Sequence, residues 1–172
     1  MLNDLNESGA WPPGDRASYI VPARELRRFR LGSDRVDIRD WPVFASDGRL
    51  VGAVNRLMVE HTSKKIRYIT VSLIRDAAHD LFPTEPGSVL VPVGVIRRLD
   101  DRQAVVLEGL ASSQLARAPR LRARAVTRAD EDETLATYGM PNSREVSASD
   151  FYRSPHFDER RLSVDGRPST TD

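Results

Sequence analysis

The chain has no cysteine, only two lysines (Lys64 and Lys65), and no apolar run near the roughly 20 residues that a membrane-spanning helix needs. Without cysteine there are no disulfides, no thiolate nucleophile and no cysteine-ligated zinc. Without a long apolar run, no transmembrane helix of the chain's own is expected. The opening Met1-Leu-Asn-Asp-Leu-Asn-Glu is polar and acidic, unlike a secretory leader. Taken alone, these features predict a soluble cytoplasmic chain. A one-signed field is missing too: the net charge is +1, so there is no basic footprint for nucleic acid. The positive charge is almost all arginine, which suits ion-paired interfaces, although a GC-rich genome produces the same bias.

Chemical motifs are equally sparse. No phosphate-cradling glycine loop and no GxSxG nucleophile turn occurs. His61, His79 and His156 are scattered, and a metal site needs several converging ligands, so neither metal binding nor catalysis is expected. Asp76, His79 and Asp80 share one loop, which reads as a polar loop.

What is present is a series of short strands. Its 172 residues leave room for a domain of about 100 residues with extensions. Trp41 to Ala45 reads as a strand, and Asp47-Gly48 supplies the positive-φ residues of a hairpin. Leu50 to Glu60 is the second strand, Thr62 to Lys65 a turn, and Ile66 to Leu73 the clearest strand, with Ile69, Val71 and Leu73 alternating with Thr70 and Ser72. Residues 75–88 read as a long hairpin loop carrying Leu81-Phe82. Val89 to Arg97 resumes as a strand, with Pro92 and Gly94 indicating a bulge or edge. Asp100-Asp101 is a tight turn, Gln103 to Glu108 a strand, and Ser112 to Arg117 a short capped helix ended by Ala118-Pro119. Upstream, Trp11-Pro-Pro-Gly favours extended chain, and residues 23–31 could form one or two helical turns with Leu26 and Phe29 on one side. Short strands separated by turn signals indicate an all-β barrel or sandwich.

The expected organisation is an N-terminal extension over 1–36, a barrel domain over 37–119 and a C-terminal extension over 120–172. In the last, Arg120, Arg122 and Arg124 alternate with small or apolar residues, giving either a membrane-surface contact or a solvated, ion-paired face. An acidic block, Asp130-Glu-Asp-Glu, follows. Trp41 is expected to pack in the barrel or at its mouth. Trp11, Phe82, Phe151, Tyr152 and Phe157 are large aromatics in polar segments; they are candidate partner contacts, or they fold back over an open barrel end.

These pieces resemble a known family. Residues 37–108 resemble the PRC-barrel, and the likeness extends toward the H subunit of the purple-type photosynthetic reaction centre. It rests on Ile20-Val-Pro, Trp41-Pro-Val with Asp47-Gly48, Val59-Glu60 leading into Ile66-Arg-Tyr, Val89-Leu-Val-Pro-Val, and Leu110-Ala-Ser-Ser-Gln-Leu-Ala-Arg-Ala-Pro-Arg-Leu with the acidic Asp130-Glu-Asp-Glu and Tyr138-Gly139 downstream. Family H subunits begin with a transmembrane helix, which this chain lacks, so a separate anchor polypeptide or a peripheral mode of attachment is expected.

The resemblance implies a mainly β fold: a small PRC-type barrel with an extended N-terminal segment and an irregular, partly helical C-terminal extension. It implies a non-catalytic subunit on the cytoplasmic face of the photosynthetic membrane, contacting core subunits L and M and perhaps antenna subunits, with no nucleic acid partner. The chain itself would bind no cofactor; bacteriochlorophyll, bacteriopheophytin, quinone and iron would belong to its partners. H subunits help deliver protons to the secondary quinone, which makes Glu60, Ser63 and Arg67 the proton-relay candidates; Ser63 stands where the family often carries an acid. The other reading of Glu60 and Arg67 is a cross-hairpin ion pair. A different class of function also fits a PRC-type barrel: a soluble adaptor related to ribosome-maturation factors, or a general stress protein. The 36 residues ahead of the barrel are few for the extra domain of the former.

Overall fold

A computed structural model describes residues 20–26, 29–74, 87–121 and 126–164. It is a mainly β fold with a partly helical C-terminal extension. Seven strands form one sheet: β1 (Ile20–Pro22), β2 (Pro42–Phe44), β3 (Leu50–Glu60), β4 (Ile66–Leu73), β5 (Ser88–Pro92), β6 (Ile96–Leu99) and β7 (Ala104–Leu107). Their order is β5-β4-β3-β2-β7-β6. The β2–β7 pair is parallel and the other pairs are antiparallel.

β3 is the spine. β4 runs along one of its edges, while the other edge is shared by β2 at its start (Val43 opposite Gly52) and β1 at its end (Ile20 opposite Glu60). Its bounds and those of β4 are the ones expected from alternation and from the Asp47-Gly48 turn, where Gly48 has φ +83°. The β3–β4 turn places Lys64 at φ +59°.

The expected strand over 89–97 is not continuous. Pro92 ends β5, and Val93–Val95 form a buried 3-10 turn before β6 begins at Ile96. The proline has no N–H to continue a ladder. This break turns a flat sheet into a curled one. In a flat six-stranded path β5 and β6 would lie about 24 Å apart, yet three 3-10 residues rise only about 6 Å. The sheet therefore wraps until its two end strands meet through the chain, although no ladder closes between them.

The wrap encloses one apolar core, with Val43, Val51, Leu57, Ile69, Val71, Val91, Val105 and Leu107 among its buried members. Leu26, Phe29 and Trp41 pack against it from the rim. α1 (Ser112–Arg117) has the expected bounds and inserts Leu115 into the same core. Asp47 in the first hairpin accepts hydrogen bonds from the Ser112 amide (3.2 Å) and hydroxyl (2.5 Å), tying turn to helix.

The outer face of β4 and β5 is also covered. Ile20, Met58, Tyr68 and Leu90 form a second core with Val126, Leu135, Phe151 and Phe157. The cover consists of α2 (Arg128–Thr137), α3 (Ala148–Phe151) and 3-10 turns at Pro155–Phe157 and Glu159–Leu162. α2 starts on a capping box: Thr127 Oγ1 accepts from the Asp130 amide (3.2 Å), and Asp130 accepts from the Thr127 amide (2.8 Å). Gly94 makes the close seating possible. A Cβ there would lie 1.8 Å from the Pro155 carbonyl oxygen, so only glycine lets the Pro155–Phe157 turn settle on Val93–Val95. Further along, the Val36 amide donates to the Leu162 carbonyl and the Val164 amide to that of Asp34.

Candidate functional site

A polar seam runs between β4 and its C-terminal cover. It begins at the β3–β4 turn. The Arg67 guanidinium donates to Glu60 Oε2 through Nε (2.9 Å) and Nη2 (2.6 Å), and the Ser63 hydroxyl donates to the same oxygen. The three proton-relay candidates are thus brought together. The cross-hairpin ion pair also forms, and it is mostly buried: the side chains of Arg67 and Glu60 are 10% and 17% exposed.

The Arg67 guanidinium stacks over the Tyr152 ring at 4.3 Å. Beyond the ring, the Tyr152 hydroxyl donates to Glu131 Oε1 (2.6 Å), and the Tyr68 hydroxyl donates to the same oxygen (2.8 Å). Arg128 Nη1 lies 2.7 Å from Glu131 Oε2 as a close ion pair, and it donates to the Tyr152 hydroxyl at 3.2 Å. Its guanidinium also sits 4.7 Å from the Phe151 ring centre. Thr134, one turn along α2 from Glu131, has a buried hydroxyl with no hydrogen-bond partner among the described residues.

Local sequence explains why these groups converge. Along β4, Ile69 and Val71 face the inner core while Tyr68 faces the outer one. On α2, Glu131, Thr134 and Leu135 are the buried positions, at the i, i+3, i+4 spacing of one helical face. A glutamate thus occupies a position that would ordinarily be apolar.

Burial dominates its electrostatics. Glu131 has no exposed surface, and desolvation raises its pKa from 4.5 to about 7 against the pull of Arg128, Tyr152 and Tyr68, with Asp132 adding to the rise. Burial, followed by the Glu131 charge, holds the hydroxyls of Tyr68 and Tyr152 well above their usual range. Burial is the largest influence on Arg128 and works against its charge, but Glu131, Tyr152 and Tyr68 together outweigh it and the net shift is upward. The seam thus has a fully buried carboxyl, Glu131, at its inner end and the exposed Ser63 at its outer end, with the Arg67 guanidinium stacked on the Tyr152 ring between them.

The other candidates fall elsewhere. Phe151 and Phe157 are 1% and 4% exposed, and with Tyr152 they pack on one another and on Tyr68 at ring separations of 4.8–5.4 Å. These three fold back onto the chain, as one of the two readings has it, anchoring the extension to its own sheet and covering its outer face rather than a barrel end. The reason is that Tyr68, Leu90 and Met58 leave that face apolar. Arg120 donates to the carbonyls of Leu115, Ala116 and Ala118, closing the end of α1, so its guanidinium is held by the helix and not by an outward cationic stripe. Arg122, Arg124, Trp11, Phe82 and the loop carrying Asp76, His79 and Asp80 lie outside the described residues. Among the described residues no three His, Asp or Glu side chains converge as a metal site, and no helix is long and apolar enough to cross a membrane.

The wrapped sheet and its rim define a small β-domain that carries an added cover. Residues 32–109 match the family model of the PRC-barrel domain, so this segment is similar to that domain. The match contains Glu60, Ser63, Arg67 and Tyr68. Arg128, Glu131 and Tyr152 lie beyond it, so the seam joins the domain to what this chain adds.

Sequence reasoning missed Glu131, which stands in the sequence only as one member of the acidic block Asp130-Glu-Asp-Glu. The signal was present: Thr127-x-x-Asp130 opens a helix, and from that register Glu131 falls on the face of Leu135.

Proposed function

We propose that the chain is a non-catalytic, H-type subunit of a bacterial photosynthetic reaction centre. In this reading it sits peripherally on the cytoplasmic face, stabilises the quinone side of core subunits L and M, and assists proton delivery to the secondary quinone. The observation that carries the reading is how the H-like segments beyond the matched domain are used. Leu110, Leu115 and Ala118 are core residues of the barrel, and Tyr138 donates its hydroxyl to the Leu90 carbonyl at 2.6 Å. Segments that resemble the H subunit are thus integral to the body. The cluster of Ser63, Glu60 and Arg67 gives the relay role a physical basis: a serine hydroxyl and a guanidinium that both donate to one carboxylate oxygen near the surface.

On this reading the pigments, quinone and iron belong to the partners, and membrane attachment comes from protein contacts or a separate anchor polypeptide. The test is an affinity pull-down of the tagged chain from detergent-solubilised native membranes, read by absorbance. Co-elution of near-infrared bacteriochlorophyll bands with photobleachable charge separation is the expected result. A colourless eluate from membranes whose core complex stays intact overturns it and redirects the search to a soluble partner named by mass spectrometry.

A further inference from the structure

The relay cluster at the β3–β4 turn is not built by β3 and β4 alone. We propose that Tyr152 is a positioning residue for that cluster: its ring, carried by the C-terminal cover, fixes the Arg67 guanidinium on Glu60. The relay half of this role rests on the reaction-centre reading; the positioning half stands in the isolated chain.

Glu60 by itself leaves the guanidinium one freedom. Both of its donors, Nε at 2.9 Å and Nη2 at 2.6 Å, converge on the single oxygen Oε2, which also takes the Ser63 hydroxyl. A fork that meets two oxygens fixes the guanidinium plane. A pair that meets at one oxygen can pivot about it. The Tyr152 ring removes that pivot, because its centre lies 4.3 Å from the guanidinium carbon in a cation–π stack. The side chains of Arg67 and Glu60 are only 10% and 17% exposed, so little water competes for the cation.

The ring is itself held. The Tyr152 hydroxyl donates to Glu131 Oε1 (2.6 Å) and accepts from Arg128 Nη1 (3.2 Å). Phe151 and Phe157 pack on its ring at 4.8 and 5.0 Å. A second tie from the cover lands beside the stack: the Ile66 amide donates to Glu159 Oε2 at 3.0 Å. Arg67 is thus set from one side by the turn and from the other by the cover.

The placement divides the two oxygens of Glu60. Oε2 is filled by three donors, while no donor meets Oε1 among the described residues. Oε1 is therefore the oxygen on which a proton can be taken up and passed on. An Arg67 that pivots away ends this division and removes the fixed positive charge beside the carboxylate.

The test is NMR of the isolated full chain, following exchange of the Arg67 Nε–H with water and the shifts of the Arg67 δ protons. In the wild-type chain the Nε–H should be protected and the δ protons moved upfield by the ring. Tyr152→Phe keeps the ring and should keep both signatures. Tyr152→Leu should speed Nε–H exchange about fivefold or more and return the δ protons to ordinary shifts. The amides of Phe151 and Phe157, bonded within the cover, report whether it stays docked. Unchanged Arg67 signals in Tyr152→Leu with the cover docked overturn the proposal. Should that variant release the cover, the wild-type chain decides: upfield δ shifts that vanish in step with cover opening in low urea support the role, and ordinary shifts refute it. In a pigmented complex Tyr152→Leu should slow flash-induced proton uptake and Tyr152→Phe should not; unchanged uptake overturns the service to the relay. A colourless pull-down fails the reaction-centre reading alone and leaves the NMR result to judge the positioning.

Discussion

Gly94→Ala tests the seating of the C-terminal cover on the barrel. The new Cβ would stand 1.8 Å from the Pro155 carbonyl oxygen and 2.5 Å from the His156 carbonyl carbon. Both are backbone atoms, so no side chain can swing aside. An ordinary contact needs a retreat of roughly 1.5 Å by the Pro155–Phe157 turn. If the turn yields only partly, the strain costs about 1–3 kcal/mol. If it lifts off, Phe157 loses its burial, about 2–3 kcal/mol, and its edge contact with Tyr68, about 1 kcal/mol. The expected loss is about 2–4 kcal/mol, read from urea unfolding. Gly109→Ala is the control: its φ is +73° but nothing lies within 4 Å, so only the backbone penalty of about 1 kcal/mol applies. Exchange should show where the loss falls, with the Phe157 amide unprotected and β4 intact at low urea. A change below about 0.5 kcal/mol, with Phe157 still protected, would refute the claim that glycine is required there.

Two further outcomes follow from single contacts. Tyr138→Phe removes the hydroxyl that meets the buried Leu90 carbonyl and should cost about 1–2 kcal/mol in urea unfolding; burial also raises the Tyr138 pKa, so alkaline absorbance titration should lose a late-titrating tyrosine in the variant. Glu60→Gln leaves the nearly buried Arg67 without its counter-charge and should cost about 1–2 kcal/mol in the isolated chain; on the proposed reaction-centre reading it should also slow proton-coupled electron transfer to the secondary quinone, and unchanged flash-induced proton uptake would make Glu60 purely structural.

The inner layer was legible in sequence because each of its signals is local. Alternation over Ile66–Leu73 and the Asp47-Gly48 turn place β3 and β4 at their observed bounds. Ser112–Arg117 was readable from its flanking Ala118-Pro119 stop. The outer layer was harder. Alternating Thr70 and Ser72 suggest a strand with one face in water, yet Thr70 is 2% exposed, and Tyr68 two residues before it packs under Phe157 from far along the chain. Nothing local to β4 announces that cover. The 89–97 stretch shows the same difficulty: its valines favour one strand, and only the demand that the sheet curl on itself makes Pro92 and Gly94 a corner. The relay candidates Glu60, Ser63 and Arg67 are neighbours across one turn, so they could be found from sequence. Glu131 meets Tyr68 across 63 positions of chain, a juxtaposition that only the folded form reveals.

The short β1 strand carries a lesson for how the molecule can be divided. Ile20 is fully buried, pairs with Glu60 at the end of β3, and accepts the Val126 amide through its carbonyl. One residue ahead of the recognised domain thus stitches a strand inside it to a segment behind it. An expression fragment trimmed to residues 32–109 would discard both ends of that stitch and leave Met58, Tyr68 and Leu90 as a naked apolar wall, a surface prone to self-association. The part that kinship recognises and the part that stands as an independent body are different lengths of chain. A fragment that keeps these contacts spans at least Ile20 to Val164.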